Sequence, residues 1–462
     1  GLGIFIGAGA YFEDPVEVDT RAGDDRVEVE LRFKEKKVDD AVADVTAIRL
    51  GPSDLATLTT GGGDDIVVGK AGGKLGDGAT ADARGISVDL AVSTGAGSDE
   101  ITGEASVDLG SNAKATVFGI DGGGSIDTGG KGDTIAGTAN VTAGDIDNNP
   151  ESELVVGGIA NVTIVTAAGN DKVTGSASVK VGENGTATVY GIDGGSAGSI
   201  DTGGGADKVI GTAELKAGDV NGDSESSFFA GGIANRTIAT GAGDDEITVL
   251  SVAEVGDVSE DATVVLPNTG IGYSQIDGGT GETIVESIVE SSVGDISVGS
   301  VAVQAFGVYD TVITTGNDQD EVAAEVFAQV GNVESGNAEV YASGIGFWTP
   351  TDRLVAGGGK DQANVSATAV IGDADADSLA RAWAFGLAMD IDLGSGDNQI
   401  IADAVAEGGT AVHTIATGMH SSVTAGSDDD EVEIVGIATS GGSAIATGAG
   451  GVLDLEINLG SG

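Results

Sequence analysis

Downstream of Asp99 the apolar residues fall on every second position, Ile101, Gly103, Ala105 and Val107, with Thr102, Glu104 and Ser106 between them. The same alternation returns at Val173, Gly175, Ala177 and Val179, and again at Val209, Gly211, Ala213 and Leu215. A period of two is that of a β-strand with one buried face. Small residues stand in the middle of that face, so the opposite wall is expected to approach closely there. A Gly-acid or Gly-polar turn follows each run. A second extended stretch then ends in an aromatic-Gly-aliphatic triplet: Phe118-Gly119-Ile120, Tyr190-Gly191-Ile192, Phe306-Gly307-Val308 and Phe385-Gly386-Leu387. A third, shorter strand, such as SIDTG at 125–129, leads into a glycine-rich turn.

That turn sets the repeat. The pattern T-G-x-G-x-D-x-[IV] is clean at 60–67, 94–101, 202–209 and 240–247, and degraded at 277–284 and 314–322. Aligned on the acid two places before the aliphatic, its anchors are Asp25, Asp65, Asp99, Asp133, Asp171, Asp207, Asp245, Glu282, Asp320, Asp361, Asn398 and Asp430. The steps between them centre near 37 residues. A longer period overlies this one, since 118–153 matches 190–227, so pairs of coils were duplicated together. A single unit of two or three strands cannot bury its own faces, whereas stacked units can, each strand pairing with its copy in the next coil. The expected fold is all-β, a parallel β-solenoid (β-helix or β-roll) of about 12 coils. It is expected to run as one body over 1–462, with divergent N-terminal coils at 1–59, regular coils at 60–250 and divergent C-terminal coils at 251–462. The aromatic row is expected to stack as a ladder in the core.

Composition narrows the function. Glycine makes up 81 of 462 residues and aromatics 4%, too few rings for a bulky globular core. Seventy-four acids against 20 bases give a net charge of -54, which makes nucleic acid a poor partner. The acids either bind cations or form a solvating surface. There is no Cys, hence no disulfide and no zinc–thiolate site, and His413 and His420 cannot build a His-rich one. No apolar run approaches the roughly 18 residues of a membrane-spanning helix. The bases are scattered apart from Arg32, Lys34, Lys36 and Lys37, an N-terminal surface patch. The start at Gly1 and the stop at Gly462 within a motif suggest a processed or partial chain with uncapped ends.

Stacking brings equivalent residues to about 4.8 Å, where two carboxylates repel by about 0.9 kcal/mol in water and by several at lower effective dielectric. A row of hard cations reverses that sign, because Ca²⁺ takes six to eight oxygens from carboxylates and backbone carbonyls. Turns such as TGGGADKVI resemble the haemolysin-type (RTX) calcium-binding repeat, G-G-x-G-x-D-x-U-x, with Thr in place of the first Gly and one copy per coil instead of a tandem array. The resemblance implies secretion, folding on meeting external calcium, and ligand roles for Asp25, Asp65, Asp99, Asp133, Asp171, Asp207, Asp245, Asp320, Asp361 and Asp430, with Asp397 beside Asn398. A second acidic feature lies at the opposite turn, in Asp145, Asp147 and Asn149, in Asp219, Asn221 and Asp223, and in Asp373, Asp375 and Asp377. Oxygens at alternate positions suit a loop wrapped round Ca²⁺.

The sequons at Asn140, Asn161, Asn184, Asn235 and Asn364 are glycosylation acceptors or simply the exposed faces of strands. Carboxylates are too common to mark a catalytic pair, and no nucleophilic triad is apparent, so the chain is read as not an enzyme. The leading expectation is a secreted, calcium-binding structural rod at or near the cell surface, self-associating head to tail into a filament or surface layer. The alternatives are a calcium-dependent adhesin, with surface glycans as possible partners, and a polysaccharide-active β-helix enzyme.

Overall fold

The computed structural model describes residues 3–6, 18–19, 22–33, 41–50, 57–146, 152–195, 198–222, 224–346, 352–419, 422–424, 429–441, 446–452 and 456–458. The chain is an all-β parallel β-solenoid of about 10 turns with a repeat of about 37 residues, and the described residues form no helix. Each coil has three walls: a long strand after the glycine turn (Glu100–Asp108), a second long strand (Lys114–Asp121) and a short third one (Ser125–Asp127). Two compact units are distinguished by their internal contacts. The first comprises Gly1–Lys180, Ala187–Ala213 and Ile233–Ile247, and the second Val181–Thr186, Glu214–Gly232 and Thr248–Gly462.

In the first unit the alternation produces the pairing directly. Thr134–Thr142 lies in register between Glu100–Asp108 and Lys172–Lys180, so Ile101, Ile135 and Val173 stack as one fully buried row. Outward residues on the same wall pair between coils, as Lys70 does with Glu104 at 2.8 Å. The mid-strand glycines let the two long walls meet backbone to backbone. A Cβ on Gly103 would lie 2.3 Å from the Gly119 carbonyl oxygen, and one on Gly137 2.2 Å from that of Gly158. The close approach expected from the small residues is present.

The second unit has longer strands, including Thr283–Val293, Gly299–Tyr309 and Gln399–Thr410. Side chains replace the mid-strand glycines of its first wall. Ser287 donates its hydroxyl to the Gly307 carbonyl at 2.7 Å, and Val365 lies over Gly344. A buried polar knot joins the walls. Ser251 donates to Asn268 Oδ1 at 2.5 Å, and Asn268 Nδ2 donates to the Ser291 hydroxyl at 3.0 Å and the Glu290 carbonyl at 2.8 Å.

The aromatic row lies outside the inward face in the first unit and forms a buried ladder in the second. Val117 points inward, Phe118 outward and half-buried, and then Gly119 and Ile120 both face inward. The alternation slips by one residue at the glycine, where the pairing with neighbouring coils also skips a position. Tyr190 follows the same rule. In the second unit Phe306 and Phe385 are buried among outward neighbours, with Tyr341 at ring-centroid distances of 5.7 and 5.1 Å from them. The inward rows are mostly aliphatic, built by residues such as Ile120, Ile126, Ile192 and Ile200, with Phe228 also fully buried.

Candidate acidic turn columns

The anchor acids share the parity of the buried row. Asp99, Ile101, Gly103 and Ala105 lie on one face of one strand, so the carboxylate turns into the corner of the coil instead of out to solvent. Asp65 and Asp207 are 0% exposed, and Asp133 and Asp171 1%. Each accepts a hydrogen bond at Oδ1 from the backbone N–H of the anchor one coil earlier. In the first unit the donors and acceptors run Asp65 to Asp99, Asp99 to Asp133, Asp133 to Asp171, Asp171 to Asp207 and Asp207 to Asp245, at 2.7 to 2.9 Å. Asp25 begins that series by donating to Asp65. In the second unit Thr283, Asp320, Asp361 and Asn398 donate in turn to Asp320, Asp361, Asn398 and Asp430, at 2.8 to 3.2 Å.

The degraded copy at 277–284 is corrected by this register. Ile284 pairs with Glu321 and faces outward, so Val285 and Thr283 are the inward residues and Glu282 is exposed. Thr283 occupies the anchor position there. Asp397 is exposed beside Asn398 and accepts the Asp429 N–H at 3.4 Å.

The second oxygen of each inner acid is sealed. Oδ2 of Asp65, Asp99, Asp133, Asp171, Asp207, Asp245, Asp320 and Asp361 has no hydrogen-bond partner and almost no exposed area. Burial raises the acid pKa at seven of these positions, and the hydrogen bond from the preceding coil pulls it back. Asp133 and Asp361 are pushed up to about 6, and Asp65, Asp171, Asp207, Asp245 and Asp320 move in the same direction.

The turn glycines serve the same stacking. Gly203 has φ +80 and a Cβ there would lie 1.6 Å from the Ala167 carbonyl oxygen of the preceding turn. That carbonyl accepts the Gly204 N–H at 2.8 Å, as the Gly203 carbonyl accepts the Ala242 N–H at 2.9 Å. The turn Thr residues at 94, 128, 166, 202 and 240 are all 0% exposed, and those at 166 and 202 donate to the next coil's Thr carbonyl at 3.2 and 3.3 Å. The ladder thus uses the Thr that departs from the calcium-repeat pattern.

A second column runs along the opposite turn with reversed polarity. Asp257 donates its N–H to Asp219 Oδ1 at 3.0 Å, Asp295 to Asp257 at 2.9 Å, Asn332 to Asp295 at 2.7 Å, Asp373 to Asn332 at 3.0 Å and Thr410 to Asp373 at 2.9 Å. These acids are exposed. The glycines before Asp257 and Asp295 are covered by the previous carboxylate: a Cβ on Gly256 would lie 2.3 Å from Asp219 Oδ1, and one on Gly294 2.2 Å from Asp257 Oδ1. Of the alternate-oxygen loops, Asn221 bonds Asn184 and Glu183, while Asp375 and Asp377 are exposed. Asp145 accepts the Asn112 N–H at its backbone carbonyl. Asp147, Asn149 and Asp223 lie outside the described residues, as do Lys34, Lys36, Lys37 and His420.

Among the described residues no three acidic or histidine side chains converge as a metal-holding group. In the inner column one carboxylate oxygen is committed to an N–H and the other is closed to water. In the outer column the carboxylates stand in solvent, where a hydrated cation can reach them. No helix among the described residues is long and apolar enough to cross a membrane. No protein-family model, curated protein or solved structure matches the chain.

Proposed function

We propose that the chain is a structural repeat protein, a rigid acidic rod secreted to the cell exterior or surface, whose exposed turn column is bridged by calcium. The observation that supports the rod is the unbroken coil-to-coil pairing within each unit, with both turns locked by side-chain-to-backbone ladders. Such a stack resists extension because every wall and corner must open together. Calcium belongs with Asp219, Asp257, Asp295 and Asp373, where four carboxylates on one face repel one another and each retains an oxygen for an ion. The end coil of any such stack carries unpaired backbone groups, so copies adding end to end into a filament are part of the same proposal. Melting by circular dichroism, with light scattering, in millimolar calcium and in excess chelator tests it. Calcium should raise the melting temperature and the particle mass, and Asp257→Asn with Asp295→Asn should blunt the rise. Equal melting and mass in the two buffers would contradict it.

A second reading, a surface adhesin, is favoured by the outward rings of the second unit. Tyr273 is 52% exposed and meets Tyr309 edge-on at 5.1 Å. Binding of soluble polysaccharides that is lost in Tyr273→Ala would support that reading over the rod.

A further inference from the structure

The second unit divides its charge unevenly between its walls. On the first wall, Thr283–Val293, Glu321–Val330 and Gln399–Thr410 turn Glu286, Glu290, Glu321, Glu325, Asp403 and Glu407 outward, with no base on those strands. The second wall runs over Ala262–Gly272, Gly299–Tyr309, Gly336–Ile345, Leu379–Leu387 and Val412–Met419. It turns out one acid and one base, Glu339 and Arg381, which pair at 3.4 Å, with His413 next in their row. Beside that pair Pro267, Gln304, Tyr341, Trp383 and Ile415 form one row across the five coils, and Arg381 lies over the Trp383 ring at 5.9 Å. Ring contacts of 5.7, 4.9 and 5.1 Å lead from Tyr341 through Phe306 and Tyr309 to Tyr273. The two edges carry the most open apolar side chains, Leu379 at 43% and Tyr273 at 52% exposure. Tyr273 has φ +52, at a corner that Asp310 fills in the next coil with φ +46. A tyrosine accepts that left-handed backbone less readily than an aspartate, and strain held by a half-exposed ring marks a contact surface.

We propose that the second wall of the second unit is a lateral interface, on which two copies of this chain pair face to face about a two-fold axis. Charge selects the occupant. Each chain carries -54, so two copies repel where acidic walls meet, and here they can close without burying an unpaired charge. The extent fits as well. Five strands at about 4.8 Å and about ten residues at about 3.3 Å give a face of roughly 800 Å², the share one partner contributes to an interface of standard size. In a two-fold contact the patch meets itself, and Tyr, Trp and Arg are the side chains that anchor such contacts. The pairing needs neither calcium nor end-to-end growth, and so goes beyond the rod.

Sedimentation of the full chain in excess chelator tests it, because calcium-bridged growth is then silent. The parent should form a discrete dimer that tightens as salt screens the like charges. Trp383→Glu and Leu379→Glu should each weaken the dimer by about tenfold or more, while Ile288→Glu on the first wall leaves it intact. Circular dichroism checks that each variant folds, and Leu379, exposed at the start of its strand, supplies the answer if Trp383→Glu does not. A parent that stays monomeric across the salt range, or a dimer indifferent to both variants, would overturn the proposal. So would a monomer that binds a soluble neutral polysaccharide through Trp383, which would give the wall to the adhesin reading. None of these results bears on the calcium-bridged rod, whose own test is run in calcium.

Discussion

In the first unit the wall residue four places past the anchor is glycine from the second anchor on, at Gly69, Gly103, Gly137 and Gly175, with Val29 in the first coil; in the second unit it is Ser287, Ala324, Val365 and Ala402. The corner does not change with it. An acid, or Asn398 in its place, receives the backbone N–H of the previous coil in both units, and the turn glycines press against the previous turn's carbonyls in both. The comparison separates two jobs. The corner sets the coil-to-coil stacking, and one mid-strand position sets how closely the walls approach. A glycine there brings backbones into contact, and a side chain holds them apart and fills the gap.

The largest expected effect comes from forcing one unit's wall into the other's form. Gly137→Val places a Cβ 2.2 Å from the Gly158 carbonyl oxygen and needs the walls to part. It should cost more than about 4 kcal/mol and abolish protection across the first unit, whereas Ala324→Val in the second should cost about 1–3 kcal/mol. Urea unfolding followed by hydrogen-exchange mass spectrometry reads both. Next comes the corner, where the units should behave alike. Gly203→Ala and Gly394→Ala each put a Cβ 1.6 Å from a carbonyl oxygen at positive φ, and each should cost about 2–4 kcal/mol. A large difference between them would break the claim that the corner is common. Val365→Ala removes two methyls over Gly344 and should cost about 1–2 kcal/mol by denaturant titration. Smallest is Lys70→Ala, which loses the outer-face pair with Glu104 and should change stability by about 0.5 kcal/mol or less, vanishing in high salt.

Much of this was legible in the sequence because period-two alternation and a steady repeat leave few architectures open. The strands, the three-walled coil, the parallel stacking and the glycine seam all follow from residues such as Ile101, Gly103 and Ala105. The burial of the anchors was legible too, since Asp99 has the parity of Ile101, but a strongly acidic composition draws acids toward solvent or cations. What overrides that is the orphan N–H at each coil corner, which an inward carboxylate satisfies. Two features were beyond local pattern. The slip at Gly119 that turns Phe118 outward depends on two inward residues in succession, and the shift from Glu282 to Thr283 depends on register with the neighbouring coil.

Hydrogen exchange at the ladder amides tests the central claim most directly, namely that the turn acids face inward and bond the coils together. The N–H groups of Asp65, Asp99, Asp133 and Asp171 each end on a carboxylate oxygen of the next coil. Measured residue by residue by NMR, they should exchange as slowly as the strand amides of Ile101 and Ile135 and speed up together when Asp171→Ala removes one acceptor. Exchange at these four amides as fast as in open turns, in a chain whose strands remain protected, would contradict it.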